Sequence, residues 1–336
     1  MKKAVFAAIF LVFIVAVAAF FIFRKDKIIS PVGNIPKEKP LDKYTFENLN
    51  KKQFQSSKIM LGKILKGDSN YISQMFYYSV DGKKVSGQLN VPKKPGTYPV
   101  VVMFRGFVPK ETYKTGIGTK RAGEVFAENG FITLAPDFLG YGESDNPSNS
   151  SIEERFQTYT TALTFLASLK NLNAGLDASY SAKIKADTQK TGIWGHSNGG
   201  HIALSVLAIS SKSYPTVLWA PVSKLFPYSI LYYTDDFNDH GKALRKVLAD
   251  FEKDYDAEKY SPSNFYKWIK APIQLNQGTA DDAVPQKWSD QLAETLKKLK
   301  IDVDYFIYPG ADHNLSVGWS TAVERGISFY NQYFNR

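Results

Sequence analysis

The chain of 336 residues contains no cysteine. That absence excludes disulfides, a thiol nucleophile, a cysteine zinc site and lipidation at a cysteine. Histidine is scarce, with four in all, so a histidine base can be sought by elimination. No Walker A sequence and no H-E-x-x-H occurs, and Gly116-Ile117-Gly118 and Gly140-Tyr141-Gly142 lack the third glycine of a dinucleotide fingerprint. Asp236, Asp239 and His240 lie in a charged stretch that reads as a solvated acidic surface rather than a cation site. No metal and no cofactor is therefore expected. The globular part also lacks a basic excess. Of the formal charge of +10, residues 1–66 hold +9, from thirteen Lys/Arg and four Asp/Glu, and residues 67–336 hold +1. No nucleic-acid partner is expected from that balance, and the basic N-terminal stretch suits anionic lipid headgroups.

One long apolar run exists. Ala4 to Phe23 is twenty residues without a charge, preceded by Lys2 and Lys3 and followed by Arg24, Lys25 and Lys27. That length spans a bilayer as a helix. Ala16-Val17-Ala18 has the small-x-small pattern of a signal cleavage site, but the run continues five residues further, which favours an uncleaved single-pass anchor. A secreted enzyme follows if the segment is cleaved. Basic residues after the run argue for a cytoplasmic domain, yet long domains translocate largely regardless of charge, and an extracytoplasmic domain is the expectation. The organisation expected is an anchor or signal at 4–23, a basic linker leading into the domain at 24–66, and the globular domain at 67–336.

The chemistry is carried by Gly195-His196-Ser197-Asn198-Gly199, a G-x-S-x-G pentapeptide between an apolar strand pattern and a buried helix pattern. That context predicts a sharp strand-to-helix turn presenting the Ser197 hydroxyl above a sheet. An acid and a histidine follow in the required order. Asp281 and Asp282 lie on the turn after Ile273-Gln274-Leu275-Asn276, and His313 lies on the turn after Val303 to Tyr308. Strand ends are where open parallel sheets place their crevice. Of the other histidines, His196 adjoins the serine and is expected to point away from it, His201 falls in the following helix, and His240 is in the charged stretch. The expected triad is Ser197 as nucleophile, His313 as general base and Asp281, preferred to Asp282, as orienting acid.

These residues resemble the alpha/beta-hydrolase superfamily. More narrowly they are similar to the catalytic domain of prolyl-oligopeptidase-type (S9) serine peptidases and to acetyl-xylan-esterase and dienelactone-hydrolase-like enzymes. The resemblance rests on Gly195 to Gly200, on Gln277-Gly278-Thr279-Ala280-Asp281-Asp282-Ala283-Val284-Pro285, on Ala135 to Ser144 and on Tyr308 to His313. It implies Asp281 as the acid, since the family uses the first aspartate of that motif. It also implies an oxyanion hole from the backbone N–H groups of Phe107 and Asn198. Two departures stand out. No room exists here for the propeller that precedes S9 catalytic domains, which favours a stand-alone hydrolase. Arg105 in Arg105-Gly106-Phe107 replaces the family's usual histidine or glycine. It is expected to make a salt bridge to an acid of the Asp137–Glu143 loop, with binding of an anionic substrate group as the alternative.

Alternation of apolar strand and amphipathic helix patterns implies an α/β fold, a mostly parallel, doubly wound sheet. A hairpin is expected at Tyr71–Val80 and Lys83–Val91. Parallel strands are expected at 99–104, 131–135, 191–194, 216–220, 272–276 and 303–308, with helices near 118–129, 151–169, 198–210, 286–299 and 317–333. Residues 44–66 read equally as short helix or edge strand. The aromatic-rich segment 221–270 is too long for a simple connection and reads as a helical cap insertion, with Arg105, Tyr141, Tyr232 and Tyr233 as pocket residues. The expected function is a membrane-tethered serine hydrolase acting on a small ester or short peptide, esterase-like in preference. The alternatives are an S9-type peptidase and a non-catalytic binding protein on the same fold. The sequence does not address oligomeric state.

Overall fold

Nine strands pair into one twisted sheet in the order β1-β2-β3-β5-β4-β6-β7-β8-β9 in the computed structural model, which describes residues 38–335 except Ala182 and Asp236. The strands are β1 Met60–Gly67, β2 Tyr71–Val80, β3 Lys83–Pro92, β4 Gly96–Phe104, β5 Ile132–Pro136, β6 Ile184–His196, β7 Thr216–Trp219, β8 Ile273–Gly278 and β9 Val303–Tyr308. β1, β2 and β3 are antiparallel and β3 joins β5 antiparallel, while β5, β4 and β6 to β9 run parallel. Val100 to Phe104 are all at most 1% exposed, as a strand covered by helices on both faces requires.

The helices are α1 Phe46–Lys51, α2 Lys120–Glu128, α3 Ser151–Ser168, α4 Leu172–Tyr180, α5 Asn198–Ser210, α6 Tyr228–Leu231, α7 Lys242–Glu252, α8 Gln286–Lys298 and α9 Trp319–Phe334. Side chains fix two of their starts. Thr45 accepts from Asn48 N at 3.3 Å to begin α1, and Ser150 accepts from Glu153 N at 3.3 Å to begin α3. The ambiguous 44–66 stretch holds both α1 and the start of β1. Phe46 is fully buried and stacks on Phe265 with ring centroids 5.0 Å apart, so the compact unit begins at Pro40, ahead of position 67.

Between β7 and β8 the chain makes α6, α7 and two short 3-10 turns, the helical insertion expected at 221–270. Its aromatics divide. Phe226, Phe251 and Tyr260 pack around Phe156 of α3 at centroid distances of 5.6, 6.0 and 4.7 Å, whereas Tyr228 and Tyr232 are exposed. The run at 4–23 lies outside the described residues. Among the described residues no helix is long and apolar enough to cross a membrane.

Strand order reverses at β4. The connection after β4 leads to β5 on one side, and the connection after β6 leads to β7 on the other. The crevice at such a switch point lies beyond the carboxyl ends of the two strands, here Arg105-Gly106-Phe107 and Ser197.

Candidate active site

β6 ends at His196 and α5 begins at Asn198, which leaves Ser197 alone on the turn with φ 57° and ψ −122°. That backbone region costs a non-glycine residue about 1–3 kcal/mol, so the surroundings must hold it. Ser197 N donates to Trp219 O at 2.9 Å, and Ser197 O accepts from Gly200 N at 2.9 Å and Val222 N at 3.0 Å. Gly199 is required here, because a Cβ would sit 1.9 Å from Phe104 O. A Cβ on Gly106 would lie 3.0 Å from Ser197 Cβ, so the loop after β4 runs directly beside the serine.

Asp281 follows β8 and His313 follows β9. His313 Nδ1 lies 3.0 and 2.9 Å from the two carboxylate oxygens of Asp281. The Asp281 side chain is wholly buried. Burial pushes its carboxyl up, but the bonds from His313, the Val284 amide and Gln277 outweigh burial and hold it below the usual carboxylate value. Oδ1 also accepts from Ala283 N and Val284 N at 3.0 and 2.8 Å, and Oδ2 from Gln277 Nε2 at 3.0 Å. A carboxylate so held fixes the Nδ1–H tautomer of His313 and leaves Nε2 to accept. Asp282 is exposed and takes no part. Ser197 Oγ makes no hydrogen bond to His313 among the described residues, a contact often loose before substrate binds.

The two amides expected to polarise a carbonyl are unused: neither Phe107 N nor Asn198 N donates to another backbone group among the described residues. Asn198 opens α5, whose first amides have no helical acceptor, and the positive end of the helix dipole adds to them.

Arg105 does not make the expected salt bridge. Its guanidinium donates to Gly106 O at 2.9 Å and to the backbone carbonyl of Asp137 at 3.3 Å. It sits over the rings of Tyr141 and Tyr113, 4.0 and 4.4 Å from their centroids, and those rings meet each other edge to face at 5.1 Å. The Asp137 carboxylate is taken instead by Ser86, Tyr113 and Thr115, at 2.6, 2.6 and 2.8 Å. Two backbone carbonyls and two aromatic rings meet the arginine, with Nε left without a partner, and three hydroxyls satisfied the acid. Arg105 and Tyr141 line a pocket of about 200 Å³ that reaches Phe107 and Asn198. Tyr232 and Tyr233 do not line it. They pack on Trp288 of α8, at 4.7 and 6.4 Å, on the acid side of the site.

Two functional contacts escaped the sequence. His196 does not point away from the site: its Nε2 lies 2.9 Å from His313 O and its ring centroid 4.6 Å from that of His313. The carbonyl can only accept, so His196 Nε2 carries the proton. Burial and the neighbouring His313 push His196 down to about 4. Gln277 donates to Asp281 while its Oε1 accepts from Ser289 Oγ at 2.7 Å. Its place at the head of the acid motif is the one signal that could have marked it. In the charged stretch, Asp239 accepts from Gly241 N and Ala243 N at 2.9 Å each, in the turn that leads into α7. Asp236 lies outside the described residues.

The chain is 27% identical over 138 residues to dipeptidyl peptidase family member 6 of Caenorhabditis elegans, covering 39% of this chain and 18% of that protein. It is 29% identical over 143 residues to the thiohydrolase aneE of Aspergillus aculeatus, covering 42% and 38%. The matches thus span well under half the length of these curated relatives. In structure the chain is similar to acetyl xylan esterase 1 from Thermoanaerobacterium, with a TM-score of 0.54, 17% identity and coverage of 86% of this chain and 93% of the esterase. At that identity the likeness speaks for the alpha/beta-hydrolase fold alone. The sequence profile of the prolyl oligopeptidase family, Peptidase_S9, matches residues 120–336, most of the chain and every residue of the site except those of the β4 loop. The chain belongs to the prolyl oligopeptidase family.

Proposed function

We propose that this protein is a serine hydrolase that cleaves a small ester through an acyl-enzyme on Ser197. The observation that carries the reading is the strained Ser197 turn beside two amides without backbone acceptors, with the Asp281–His313 pair held on the next strand ends but one and two. His313 Nε2 takes the Ser197 proton as Oγ attacks the carbonyl carbon. The oxyanion is held by Phe107 N–H and Asn198 N–H, and the tetrahedral intermediate expels the alkoxide, which leaves with the proton from His313. Water, deprotonated by the same histidine, then releases the acid and restores the serine.

Family membership favours a second reading, a peptidase on short peptides. Against it, the acid that lines the pocket, Glu154, is held by Lys110 at 2.7 Å, so the pocket offers no free carboxylate to a peptide ammonium. The apolar run at 4–23 supports a membrane-tethered form with an extracytoplasmic domain. Labelling by a fluorophosphonate, blocked in Ser197→Ala, tests the nucleophile. Relative kcat/KM on short p-nitrophenyl esters and dipeptidyl anilides tests the bond. Esters should lead by at least about tenfold, roughly 1.4 kcal/mol in barrier. An anilide that equals the best ester makes the protein a peptidase.

A further inference from the structure

The pocket beside Asn198 holds a positive charge that its surroundings do not cancel. Phe107, Phe138, Leu139 and Ile202 form its apolar wall, and Arg105 and Arg155 supply its cations. Arg105 is balanced. Tyr113, whose ring lies under its guanidinium, donates to the buried Asp137 carboxylate, and burial raises that carboxyl only against the pull of Arg105 and three hydroxyls. Glu154 is balanced by Lys110. Arg155 of α3 is different. Its Nη2 meets His201 Nε2 at 3.3 Å. That ring is neutral, since Nδ1 donates to Val222 O at 3.1 Å and Nε2 is shared with the Tyr159 hydroxyl at 2.9 Å. Arg155 Nε is shielded from solvent with no hydrogen-bond partner, as Arg105 Nε is, and its guanidinium carbon lies 5.8 Å from the centroid of the Phe226 ring. What sets it apart is charge: Arg105 acts on the Asp137 carboxylate, whereas among the described residues no carboxylate pairs with Arg155. A half-buried cation without an acid lacks the pairing that offsets its lost hydration, and the planar guanidinium fork fits a carboxylate in two-point contact.

We propose that this pocket receives the acyl half of the substrate and that Arg155 binds a carboxylate at the far end of that acyl chain. The substrate class is then the hemiester of a short dicarboxylic acid. The inference rests on the Ser197 reading, because the pocket is lined by Phe107 and Asn198, whose amides that reading assigns to the oxyanion. One uncompensated positive charge matches a monoanion, and a volume of about 200 Å³ matches a short chain. Arg155 acts as a specificity residue: it orients the acyl group before attack and takes no proton.

The test compares the p-nitrophenyl hemiester of glutaric acid with p-nitrophenyl pentanoate, its neutral counterpart. Wild type should favour the hemiester in kcat/KM by about ten- to a hundredfold, the effect of one charge-assisted hydrogen-bonded contact. Arg155→Gln should lower the ratio of the two kcat/KM values by at least about tenfold, and Arg155→Lys should restore part of it. Free glutarate should inhibit wild type competitively at millimolar concentrations or below, the ordinary range of substrate affinity. A wild-type preference for pentanoate overturns the proposal, as does an unchanged ratio in Arg155→Gln. If Arg155→Gln does not fold, absence of glutarate inhibition of wild type overturns it. Failure of the underlying reading looks different, since neither ester is turned over and the fluorophosphonate leaves Ser197 unlabelled.

Discussion

His196 Nε2 donates to the backbone carbonyl of His313 at 2.9 Å, so the residue before the proposed nucleophile holds the loop of the proposed base. The contact ties the end of β6 to the turn after β9, two strands that are not neighbours in the sheet. His196→Phe keeps the ring volume and loses the N–H. It should lower kcat about tenfold or more, in keeping with the sensitivity of catalysis to small displacements, with KM changed less. His196→Asn, which can still donate, should recover part of the loss. Equal kcat in wild type and His196→Phe would deny the contact a positioning role.

Ser197→Ala should lower kcat by about 10⁴–10⁶, the usual loss for a triad member. Its thermal unfolding should change little, because the hydroxyl makes no hydrogen bond among the described residues. Retention of a tenth of the wild-type rate would remove Ser197 from the mechanism.

Asp281→Asn should cost about 10⁴ in kcat, since an amide can present its N–H group toward His313 and fix the wrong tautomer. Asp282→Asn should stay within about threefold, as expected of an exposed surface position. Steady-state kinetics on one ester decides between them, and a larger effect at Asp282 would reverse the assignment.

Two buried histidines make stability depend on pH. His196 is held down to about 4 and His201 to about 3, chiefly by burial, with neighbouring His313 and Arg155 respectively adding to it. Both titrate at 6.5 when free, so below that pH the unfolded chain binds protons that the folded chain refuses. Their contribution is complete above pH 6.5 and is lost as pH falls toward 4 and then 3. By pH 5 each ring forfeits about 2 kcal/mol. Urea unfolding at pH 7 and pH 5 should show this drop, and His201→Gln should show about half of it. A stability curve flat across that interval would contradict neutral burial of the rings.

A chain starting at residue 38 should fold, and Phe46→Ala within it should cost about 3–5 kcal/mol, as loss of a buried phenylalanine does. A chain starting at residue 52 loses Phe46 and Leu49, both at most 1% exposed, and should be insoluble. Soluble, folded protein from the shorter chain would show that α1 is dispensable.

Much of the fold was legible because its strands are short apolar runs bounded by turns. The segments read at 71–80 and 303–308 match β2 and β9 to the residue, and the helices after the serine and the acid begin where expected. The first half of β6 was not legible. Ile184 to Lys190 is largely polar, and it becomes strand by pairing with Gly96–Pro99, a partner almost ninety residues earlier. Helix α4 was hidden because it follows α3 after a single 3-10 turn, without a proline or other break. In the site, Ser197, Asp281 and His313 could be named from motif order, and the structure brings the last two into contact. The partners of Arg105 could not be named. Charge complementarity suggests an acid for an arginine, and only the fold shows that hydroxyls reached the acid first. Arg155 and His196 carry no local signature, since each matters through a neighbour distant in sequence.

The insertion between β7 and β8 leaves and re-enters the sheet on adjacent parallel strands, whose register runs unbroken from Thr216↔Ile273 to Trp219↔Asn276. Beyond Val222, whose amide holds Ser197 O, its length can therefore change without shifting the strand ends that carry Ser197, Asp281 and His313, which makes it an exchangeable cassette for grafting between relatives. The graft has a stated boundary. Phe226, Phe251 and Tyr260 interlock with Phe156, and Phe265 with Phe46. A transplanted cassette must therefore bring the matching residues of α1 and α3 with it.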